Sequence, residues 1–472
     1  MMYNAITNKR IYQEEQNELL YNLLQKRFFQ FWEKPELFQD NTSLSNNSNI
    51  ELFITPYCNQ SCSYCYLVKY PELYPQGISS DKILENLKIF LNWINEKNFY
   101  LPDIDLFSGE IWHTKLGFDI LDIILDYCKN NKLKIKQLMI PTNGTFLKSD
   151  ETFYKMQNFI DDFKEIGVRL CISLSIDGAI IENKTRPLNN KELKTDSFYE
   201  KAFAFAKYNN FAFHPMISAV SAKDWVENYK WWKSECKKYD LNIYDLMILE
   251  VRNSDWTEES IQDYNHFLNF LLQDFLSDCK SIDEAVQCLF NLSPSIKKSI
   301  NLNNNNYLPY AITKSNTYPA CTIATHFCVR LGDLAISPCH RTGYEKNIYG
   351  YFQVENNRIV GIKANNPYMA MRILFGNNTI CSPKCDTCDF NKVCLQGCFG
   401  AQMEYNQDPF MPIPEVCTFF KSKYINLVRQ YKKLGILNAL EKYHSLECIQ
   451  YPMVHFVLNF CNGVLNKYGM ES

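Results

Sequence analysis

Cys58, Cys62 and Cys65 stand close together in the sequence, separated by three and then two residues. Three thiolates on one loop can bind three irons of a cubane iron–sulfur cluster, and no fourth cysteine lies nearby to bind the last iron. A structural zinc site needs four ligands, so a zinc loop here would have to borrow a distant one. The spacing therefore predicts a catalytic cluster with one iron open to a ligand, and the zinc loop is the alternative.

A second group of cysteines lies in the last third of the chain. Its members are Cys321, Cys328, Cys339, Cys381, Cys385, Cys388, Cys394, Cys398 and Cys417. Such dense spacing in a chain without a secretory signal is typical of metal sites rather than disulfides. Two interpretations remain open at this point, a set of iron–sulfur clusters and a pair of structural zinc knots.

The composition is that of a folded protein. The chain has 472 residues, of which 46% are hydrophobic and 21% charged, enough for two or three domains. Its net charge of −3 gives no global basic field for nucleic acid. The first residues lack a basic segment followed by an apolar one, and no apolar run approaches the ~18 residues that span a bilayer. We therefore expect a cytoplasmic protein that contacts neither nucleic acid nor a membrane.

Strands and helices alternate between the two cysteine groups. Apolar runs predict strands over residues 50–55, 104–107, 137–141, 168–176, 213–219 and 246–251. Helical periodicity predicts helices over residues 83–94, 116–127, 152–166, 198–208, 224–239 and 258–279. Six βα units in a row predict an α/β fold with a parallel sheet curved into a partial (βα)6 TIM-like barrel. Six units do not close the usual eight-stranded barrel, so the open side would admit a large substrate.

Changes in composition set the expected domain bounds. They are an N-terminal helical extension over 1–48, the barrel over 49–285, a linker over 286–320, a loop-rich cysteine domain over 321–425 and a C-terminal helical segment over 426–472. The apolar content of the cysteine domain is too broken for a self-sufficient core, so we expect metal binding to hold it together.

The loop after the first strand, with Tyr64 before its last cysteine, resembles the radical S-adenosylmethionine superfamily. In that superfamily the open iron binds the amino and carboxylate groups of the cofactor. The reduced cluster then cleaves the cofactor to methionine and a 5′-deoxyadenosyl radical, which abstracts a hydrogen atom. The resemblance implies that Cys58, Cys62 and Cys65 are both the metal ligands and the catalytic residues of an oxidoreductase.

Other predicted strand ends carry further motifs of that superfamily. Ser108-Gly109-Glu110 resembles the Gly-Gly-Glu segment that holds the cofactor's amino group, with serine in place of the first glycine. The later motifs are a Thr-Asn-Gly turn, a Ser-x-Asp-Gly turn whose serine faces the ribose, and an arginine placed for the cofactor carboxylate. The residues that the resemblance assigns to the cofactor are Tyr64, Gly109, Glu110, Asn143, Ser175, Asp177 and Arg186.

The second cysteine group resembles the SPASM extension of these enzymes, which carries two auxiliary iron–sulfur clusters. The resemblance implies one cluster on Cys321, Cys328, Cys339 and Cys398, and another on Cys385, Cys388, Cys394 and Cys417. Cys381 is left over as a spare or alternative ligand. Full sets of four thiolates suit electron transfer or structure better than substrate binding. The chain would then hold three 4Fe–4S clusters and S-adenosylmethionine.

SPASM enzymes mostly modify peptides or proteins. The resemblance therefore implies a maturase that modifies a ribosomally synthesised precursor peptide, by oxidative formation of a thioether or carbon–carbon crosslink. An auxiliary cluster would accept the second electron, and a reductant such as flavodoxin or ferredoxin would supply the first. The alternatives are a sulfatase-maturase-like side-chain oxidase, a peptide epimerase and a zinc-stabilised binding scaffold without redox chemistry.

Two further residues carry open interpretations. His340 follows Cys339, where sulfatase maturases have a catalytic aspartate, so the imidazole is either a base or a hydrogen-bonding group near a cluster. Arg252 follows the predicted sixth strand. It is expected either to hold a substrate or cofactor group or to form an ion pair with Glu110 or Asp177.

Overall fold

The structure is a computed structural model. It describes residues 2–4, 9–11, 13–28, 30–31, 49–97, 99–101, 103–209, 211, 213–253, 255–292, 296, 300, 308–312, 323, 326–375, 383–394, 397–444 and 452–469. Cys321 and Cys381 lie outside the described residues, as does most of the predicted linker.

The strands follow the predicted apolar runs and continue into the cysteine-rich region. They are β1 (Met2–Asn4), β2 (Lys9–Ile11), β3 (Gln30–Phe31), β4 (Asn49–Phe53), β5 (Phe99–Tyr100), β6 (Asp103–Phe107), β7 (Gln137–Thr142), β8 (Arg169–Leu174), β9 (Met216–Ile217), β10 (Leu249–Glu250), β11 (His326–Arg330), β12 (Ala335–Ser337), β13 (Gly350–Glu355) and β14 (Arg358–Ala364). Each of the six strands predicted for the barrel is present, although β9 and β10 are short.

The helices likewise match the predicted periodicity. They are α1 (Gln13–Phe28), α2 (Tyr66–Lys69), α3 (Ser80–Glu96), α4 (Leu116–Lys129), α5 (Asp150–Glu165), α6 (Glu182–Thr185), α7 (Asp196–Asn209), α8 (Trp225–Lys238), α9 (Glu258–Asp278), α10 (Ile282–Leu289), α11 (Pro367–Phe375), α12 (Pro383–Asp386), α13 (Phe399–Asn406), α14 (Pro414–Lys433), α15 (Ile436–His444) and α16 (Pro452–Tyr468). The predicted α/β class is therefore confirmed.

Local signals explain where these helices begin. Ser79 and Ser149 accept a hydrogen bond from the third following backbone N–H at the starts of α3 and α5. Thr257 and Ser260 form a reciprocal capping box at the start of α9. Serine and threonine residues thus determine where α3, α5 and α9 begin.

The chain divides into two compact units. The first consists of Met1–Ser61, Cys65–Leu174 and Thr322–Ile380, and the second of Cys62–Tyr64, Ser175–Cys321 and Cys381–Ser472. These units group the chain differently from the predicted domains, because part of the cysteine-rich region shares a sheet with the first predicted strands. The domain bounds themselves stay a prediction.

The first unit is built on an eight-stranded sheet in the order β14-β13-β12-β11-β4-β6-β7-β8. β4, β6, β7 and β8 pair in parallel, as expected for successive βα units. Because the chain runs the same way in all four, their carboxyl ends lie along one edge, where the loops that carry the predicted site begin.

The cysteine-rich region contributes four strands to this sheet. β11 pairs in parallel with β4 over five residues, with Phe327 opposite Ile50 and Cys328 opposite Glu51. Every residue of β11 is buried, which is typical of a central strand covered on both faces. The expectation that this region depends on its cysteines for order was too broad, since residues 326–364 hydrogen-bond into the sheet of the first unit.

The second unit holds the other two predicted barrel strands. β9 and β10 pair in parallel, and backbone hydrogen bonds of 3.0, 3.1 and 2.8 Å extend the pairing over residues 213–217 and 247–251. Phe203 of α7, Phe213 and Trp232 of α8 pack on one side of this pair, with ring centroids 4.9 to 5.5 Å apart. In the same unit, α14 packs against α9, α15 and α16. No helix in the described part of the chain is both long and apolar enough to cross a membrane.

Candidate functional site

The first unit clamps the start of the cysteine loop to the end of β6. The backbone N–H of Gly109 donates to the carbonyl of Thr55 over 2.7 Å, and that of Glu110 donates to Tyr57 over 2.8 Å. A Cβ atom at Gly109 would lie 2.0 Å from the Tyr57 carbonyl oxygen. Glycine is therefore required at this position by the close approach of two backbones just before Cys58.

Glu110 joins the ends of β6 and β7. Its buried carboxylate accepts hydrogen bonds from the Thr142 hydroxyl at 3.0 and 2.9 Å, from the Asn143 backbone N–H at 2.7 Å and from the Trp112 backbone N–H at 3.2 Å. A buried carboxylate is stable only when its oxygens are paired in this way. The predicted cofactor residue Glu110 thus also fixes the loop that carries Asn143.

Asn143 in turn reaches the cysteine loop. Its side-chain amide donates to the side-chain oxygen Oδ1 of Asn59 over 2.8 Å and lies 3.9 Å from the sulfur of Cys58. The Asn59 amide donates to the Thr145 hydroxyl over 2.9 Å. The turn after β7 therefore orients Cys58, one of the three predicted ligands.

Ser108 occupies the position where the superfamily motif has its first glycine. Its hydroxyl oxygen is buried and has no hydrogen-bond partner among the described residues. Buried hydroxyls in proteins are nearly always paired with protein, water or ligand. An unpaired donor beside Gly109 and Glu110 fits a bound polar group at this strand end.

The third cysteine of the loop is held by packing. Cys65 directly precedes α2, and the backbone N–H groups of Val68 and Lys69 donate to its carbonyl over 3.2 and 3.1 Å. Its side chain packs against a buried cluster that includes Phe53 and Tyr74.

The second unit holds the remaining cysteine of the loop. Cys62 is 8% exposed, and the next residue, Ser63, donates its backbone N–H to the Thr185 carbonyl over 3.1 Å. The Tyr64 hydroxyl donates to Oδ2 of Asp177 over 2.8 Å. The guanidinium of Arg186 lies over the Tyr64 ring, 5.4 Å from its centroid. Three of the predicted cofactor residues therefore meet beside Cys62.

Asp177 is the centre of this group and is completely buried. Oδ1 lies 2.8 Å from Nε of Arg186 and accepts the backbone N–H of Met216 over 2.9 Å, and Oδ2 also accepts the Thr185 hydroxyl over 2.7 Å. Both oxygens are thus occupied within the unit. Asp177 therefore positions Tyr64 and Arg186.

The charges around Cys62 set the protonation states of its neighbours. Burial raises the pKa of Tyr64 well above its usual value, and the nearby Asp177 and Cys62 raise it further against the opposing effect of Arg186. Burial alone would lower the pKa of Arg186, but Asp177, Tyr64 and Cys62 hold it well above the usual value. Tyr64 therefore remains a neutral phenol, and Arg186 remains a cation suited to an anionic cluster and its ligand.

Four cysteines of the second group line one cavity of the second unit. Cys385, Cys388, Cys394 and Cys417 line a pocket of about 570 Å³, a volume that includes solvent at its opening. Burial raises the pKa of the Cys417 thiol, and the nearby Cys385 and Cys388 raise it further. This is the set that the resemblance assigns to one auxiliary cluster. Arg252 lines the same cavity and donates from Nη1 to the Gly397 carbonyl over 2.5 Å.

A zinc ion and a cubane cluster place different demands on these four thiols. A zinc ion brings its sulfur ligands to about 2.3 Å from one centre, whereas each thiolate of a cubane cluster binds its own iron. Among the described residues, no three side chains of histidine, cysteine, aspartate or glutamate converge closely enough to bind one metal ion. Which of the two groups the four cysteines bind stays a prediction.

The cysteines assigned to the other auxiliary cluster lie in different elements. Cys328 is a fully buried residue of β11, and burial raises the pKa of its thiol well above the usual value. Cys339 is nearly buried after β12, and the Thr342 hydroxyl donates to its carbonyl over 2.7 Å. Cys398 directly precedes α13. Cys321 lies outside the described residues, so the grouping of this set stays a prediction.

The contact between Glu51 and His340 in the first unit is not indicated by any sequence motif. Glu51, buried in β4, accepts the backbone N–H of His340 over 2.7 Å and lies 3.0 Å from Nδ1 of its ring. Nε2 of the buried His326 lies 3.3 Å from the other carboxylate oxygen without hydrogen-bond geometry. Phe107 stacks on the His340 ring with 3.7 Å between centroids. His340 is thus held through Nδ1 and its backbone by Glu51, and its role as a base or as a hydrogen-bonding group near a cluster stays a prediction.

The charge of Glu51 is set by these neighbours. Burial alone would raise its pKa, but His326, His340 and the hydrogen bonds from His340 lower it to about 2. The signal in the sequence was a single acidic residue inside the apolar strand Ile50-Glu51-Leu52-Phe53, which requires a polar partner. That partner lies almost three hundred residues away along the chain.

Comparisons with known proteins bear on the fold. No protein-family model and no curated protein matches the chain. The solved structure of native anSMEcpe with bound AdoMet aligns with a TM-score of 0.50 at 16% identity, over 84% of this chain and 100% of that chain. The chain shares the fold of anSMEcpe. A second anSMEcpe structure, with AdoMet and a peptide bound, aligns with a TM-score of 0.48 at 18% identity over the same fractions.

The shared fold agrees with the motifs. The predicted resemblance to radical S-adenosylmethionine enzymes is confirmed at the level of the fold. The cofactor-binding roles of individual residues stay predictions. Ser175, predicted to face the ribose, is partly buried directly after β8.

Proposed function

We propose that this protein is a radical S-adenosylmethionine enzyme that modifies a peptide. The observation that carries the proposal is the fold shared with a protein solved with AdoMet bound, combined with a three-cysteine loop that follows the strand β4. Cys58, Cys62 and Cys65 would bind three irons of a 4Fe–4S cluster and leave the fourth for the cofactor. When bound, the cluster and S-adenosylmethionine supply hydrogen-atom abstraction.

The residues of the chain orient these groups. In the first unit, the Gly109–Tyr57 contact and the Glu110–Asn143 hydrogen bond hold the start of the loop. In the second unit, Asp177 holds Tyr64 and Arg186 beside Cys62. We assign Arg186 to the cofactor carboxylate, since its guanidinium keeps donor groups beyond the one nearest Asp177.

We further propose that the six parallel strands form a partial (βα)6 barrel and that residues 321–425 form a SPASM domain. Its two auxiliary 4Fe–4S clusters would bring the total to three. Support comes from the cavity lined by Cys385, Cys388, Cys394 and Cys417. A fully ligated cluster there is suited to electron transfer, and Arg252 beside it would stabilise its negative charge.

The proposed reaction is oxidative crosslinking of a ribosomally synthesised precursor peptide in the cytoplasm, with a flavodoxin or ferredoxin as reductant. The fold shared with anSMEcpe also favours a second candidate, oxidation of a single protein side chain by a sulfatase-maturase-like enzyme. Against this candidate, His340 stands where such enzymes have a catalytic aspartate.

Metal analysis of anaerobically purified protein tests the proposal. Three cubane clusters require about twelve irons per chain, whereas zinc knots require a few zinc ions and no iron. Replacing Cys58, Cys62 and Cys65 by alanine should remove about four irons, and replacing the four cavity cysteines should remove another four. Zinc without iron in the purified protein would refute the enzymatic proposal.

Mass spectrometry of the product separates the two reactions. A precursor encoded beside this gene should be co-expressed with the enzyme and digested. A crosslink joins two residues and blocks fragmentation between them, whereas side-chain oxidation changes one residue and leaves an aldehyde that reacts with hydrazide reagents. A hydrazide-reactive product would favour the second candidate.

A further inference from the structure

His214 lies at the start of the β9 strand pairing in the second unit. Its neighbour Phe213 packs against Phe203 and Trp232, with ring centroids 4.9 Å away in both cases. Since successive side chains of a strand point to opposite faces, His214 points away from these helices. Two residues further on, the Met216 backbone N–H donates to Asp177 over 2.9 Å. The charges of Asp177 and Arg186 both act on the His214 ring, so His214 lies near this group.

The imidazole of His214 has an unsatisfied nitrogen. Nε2 is buried and makes no hydrogen bond to any of the described residues. Buried ring nitrogens normally pair with a protein group, an ordered water or a ligand. Since no described residue pairs with this nitrogen, it is available to a water or to a ligand group that binds beside Asp177.

The charges around His214 limit which ligands can bind beside it. Burial and the nearby Arg186 lower the pKa of His214 to about 4, against the opposing effect of Asp177. The ring is therefore neutral near pH 7 and presents one nitrogen as an acceptor or a donor without adding positive charge. A neutral ring is compatible with the cationic sulfonium of S-adenosylmethionine, whereas an imidazolium would repel it.

We propose that His214 is a further cofactor-binding residue, whose Nε2 forms a hydrogen bond with S-adenosylmethionine beside Arg186 and Tyr64. This inference rests on the proposed function. S-adenosylmethionine is favoured over the peptide because Arg186, whose charge acts on His214, also lies over the ring of Tyr64 in the cysteine loop, 5.4 Å from its centroid. The cofactor offers hydroxyl and amino groups that pair with an imidazole nitrogen.

Equilibrium binding of S-adenosylmethionine to the anaerobic, unreduced protein tests the inference, because without a reductant the cofactor is not consumed. Calorimetry should compare the wild type with His214→Ala and His214→Gln, after iron content and circular dichroism have been matched. His266→Ala, an exposed histidine on α9 of the same unit, is the control. Loss of one buried hydrogen bond should raise Kd about tenfold in His214→Ala. Glutamine should restore most of the affinity, and the control should bind like the wild type.

Other outcomes would overturn the inference. An unchanged Kd in His214→Ala would refute it, and so would an unchanged cofactor Kd together with weaker binding of the peptide. If His214→Ala loses iron or structure, His214→Leu carries the same comparison, since leucine fills the site without a hydrogen-bonding group. A wild type with a full complement of iron and no affinity for S-adenosylmethionine would refute the proposed function itself.

Discussion

Nε of Arg186 lies 2.8 Å from Oδ1 of Asp177, and the aspartate is completely buried. The N–H of that nitrogen does not point at the oxygen, so the contact is an ion pair and not a hydrogen bond. The remaining partners of Asp177 are Tyr64, Thr185 and the backbone of Met216. One carboxylate thus links residues that are far apart in the sequence to the cysteine loop.

Removal of Arg186 should strongly destabilise the second unit. Arg186→Ala leaves the Asp177 carboxylate buried without its cation, which costs about 3–5 kcal/mol. Denaturant titration measures the loss, with Lys82→Ala as the control. Lys82 pairs with Glu85 at the surface, where such a change should cost less than about 1 kcal/mol. Equal stabilities of the two variants would contradict the role given to Arg186.

A methyl group at Gly109 should disrupt the cysteine loop. Gly109→Ala places Cβ against the Tyr57 carbonyl, so the backbones must separate and the hydrogen bonds that precede Cys58 break. We expect about four fewer irons per chain, measured after anaerobic reconstitution. The matched control is Gly463→Ala on α16, where no atom lies within 4 Å of the new methyl group. A full iron content in Gly109→Ala would show that the close contact between Gly109 and Tyr57 is not needed for iron binding.

Glu51→Gln should destabilise the first unit although the two side chains have the same shape. In the wild type, the backbone N–H and the ring Nδ1 of His340 both lie against one oxygen of the Glu51 carboxylate. The glutamine amide offers them either an NH2 group, which cannot accept a hydrogen bond, or an uncharged oxygen, which is a weaker acceptor. Loss of a charged, buried acceptor costs about 2–3 kcal/mol. Denaturant midpoints would show this cost, while Glu85→Gln at the surface should change them little. A midpoint of Glu51→Gln equal to that of the wild type would contradict the account.

The low pKa of His214 predicts a pH dependence of stability. The unfolded chain takes up a proton at the usual histidine pKa of 6.5, whereas the folded chain does so only near 4. Protonation therefore favours the unfolded state as the pH falls from 6.5 to 4. Glutamine does not titrate, so His214→Gln should lose about 1 kcal/mol less stability than the wild type between pH 7.5 and 5.5. Parallel losses in denaturant titrations at the two values would contradict a neutral, buried His214.

Local patterns predict much of the fold. The six strands and their helices follow from apolar runs, periodicity and capping residues, all of which act within a few positions. Gly109 was predicted only as a cofactor residue, and its close approach to Tyr57 was not, although a glycine beside a motif is a signal for such an approach. The spacing of Cys58, Cys62 and Cys65 predicts a cluster loop without knowledge of the rest of the chain, because a cluster constrains the spacing of its ligands.

Contacts across the chain could not be predicted in the same way. Glu51 is paired with His340 because β11 lies next to β4, and no short-range pattern specifies that neighbour. Arg186 was predicted to hold the cofactor carboxylate, but its ion pair with Asp177 depends on the path of the chain after β8. No motif in the sequence marks His214, and only its buried, unpaired nitrogen distinguishes it from an ordinary core histidine.

Formation of 5′-deoxyadenosine tests the central claim most directly. The reconstituted protein should be incubated anaerobically with S-adenosylmethionine and dithionite, and the nucleoside should be quantified by liquid chromatography and mass spectrometry. The account predicts 5′-deoxyadenosine from the wild type and none from the variant in which Cys58, Cys62 and Cys65 are replaced by alanine. Continued formation in that variant, or none from a wild type that contains its iron, would contradict it.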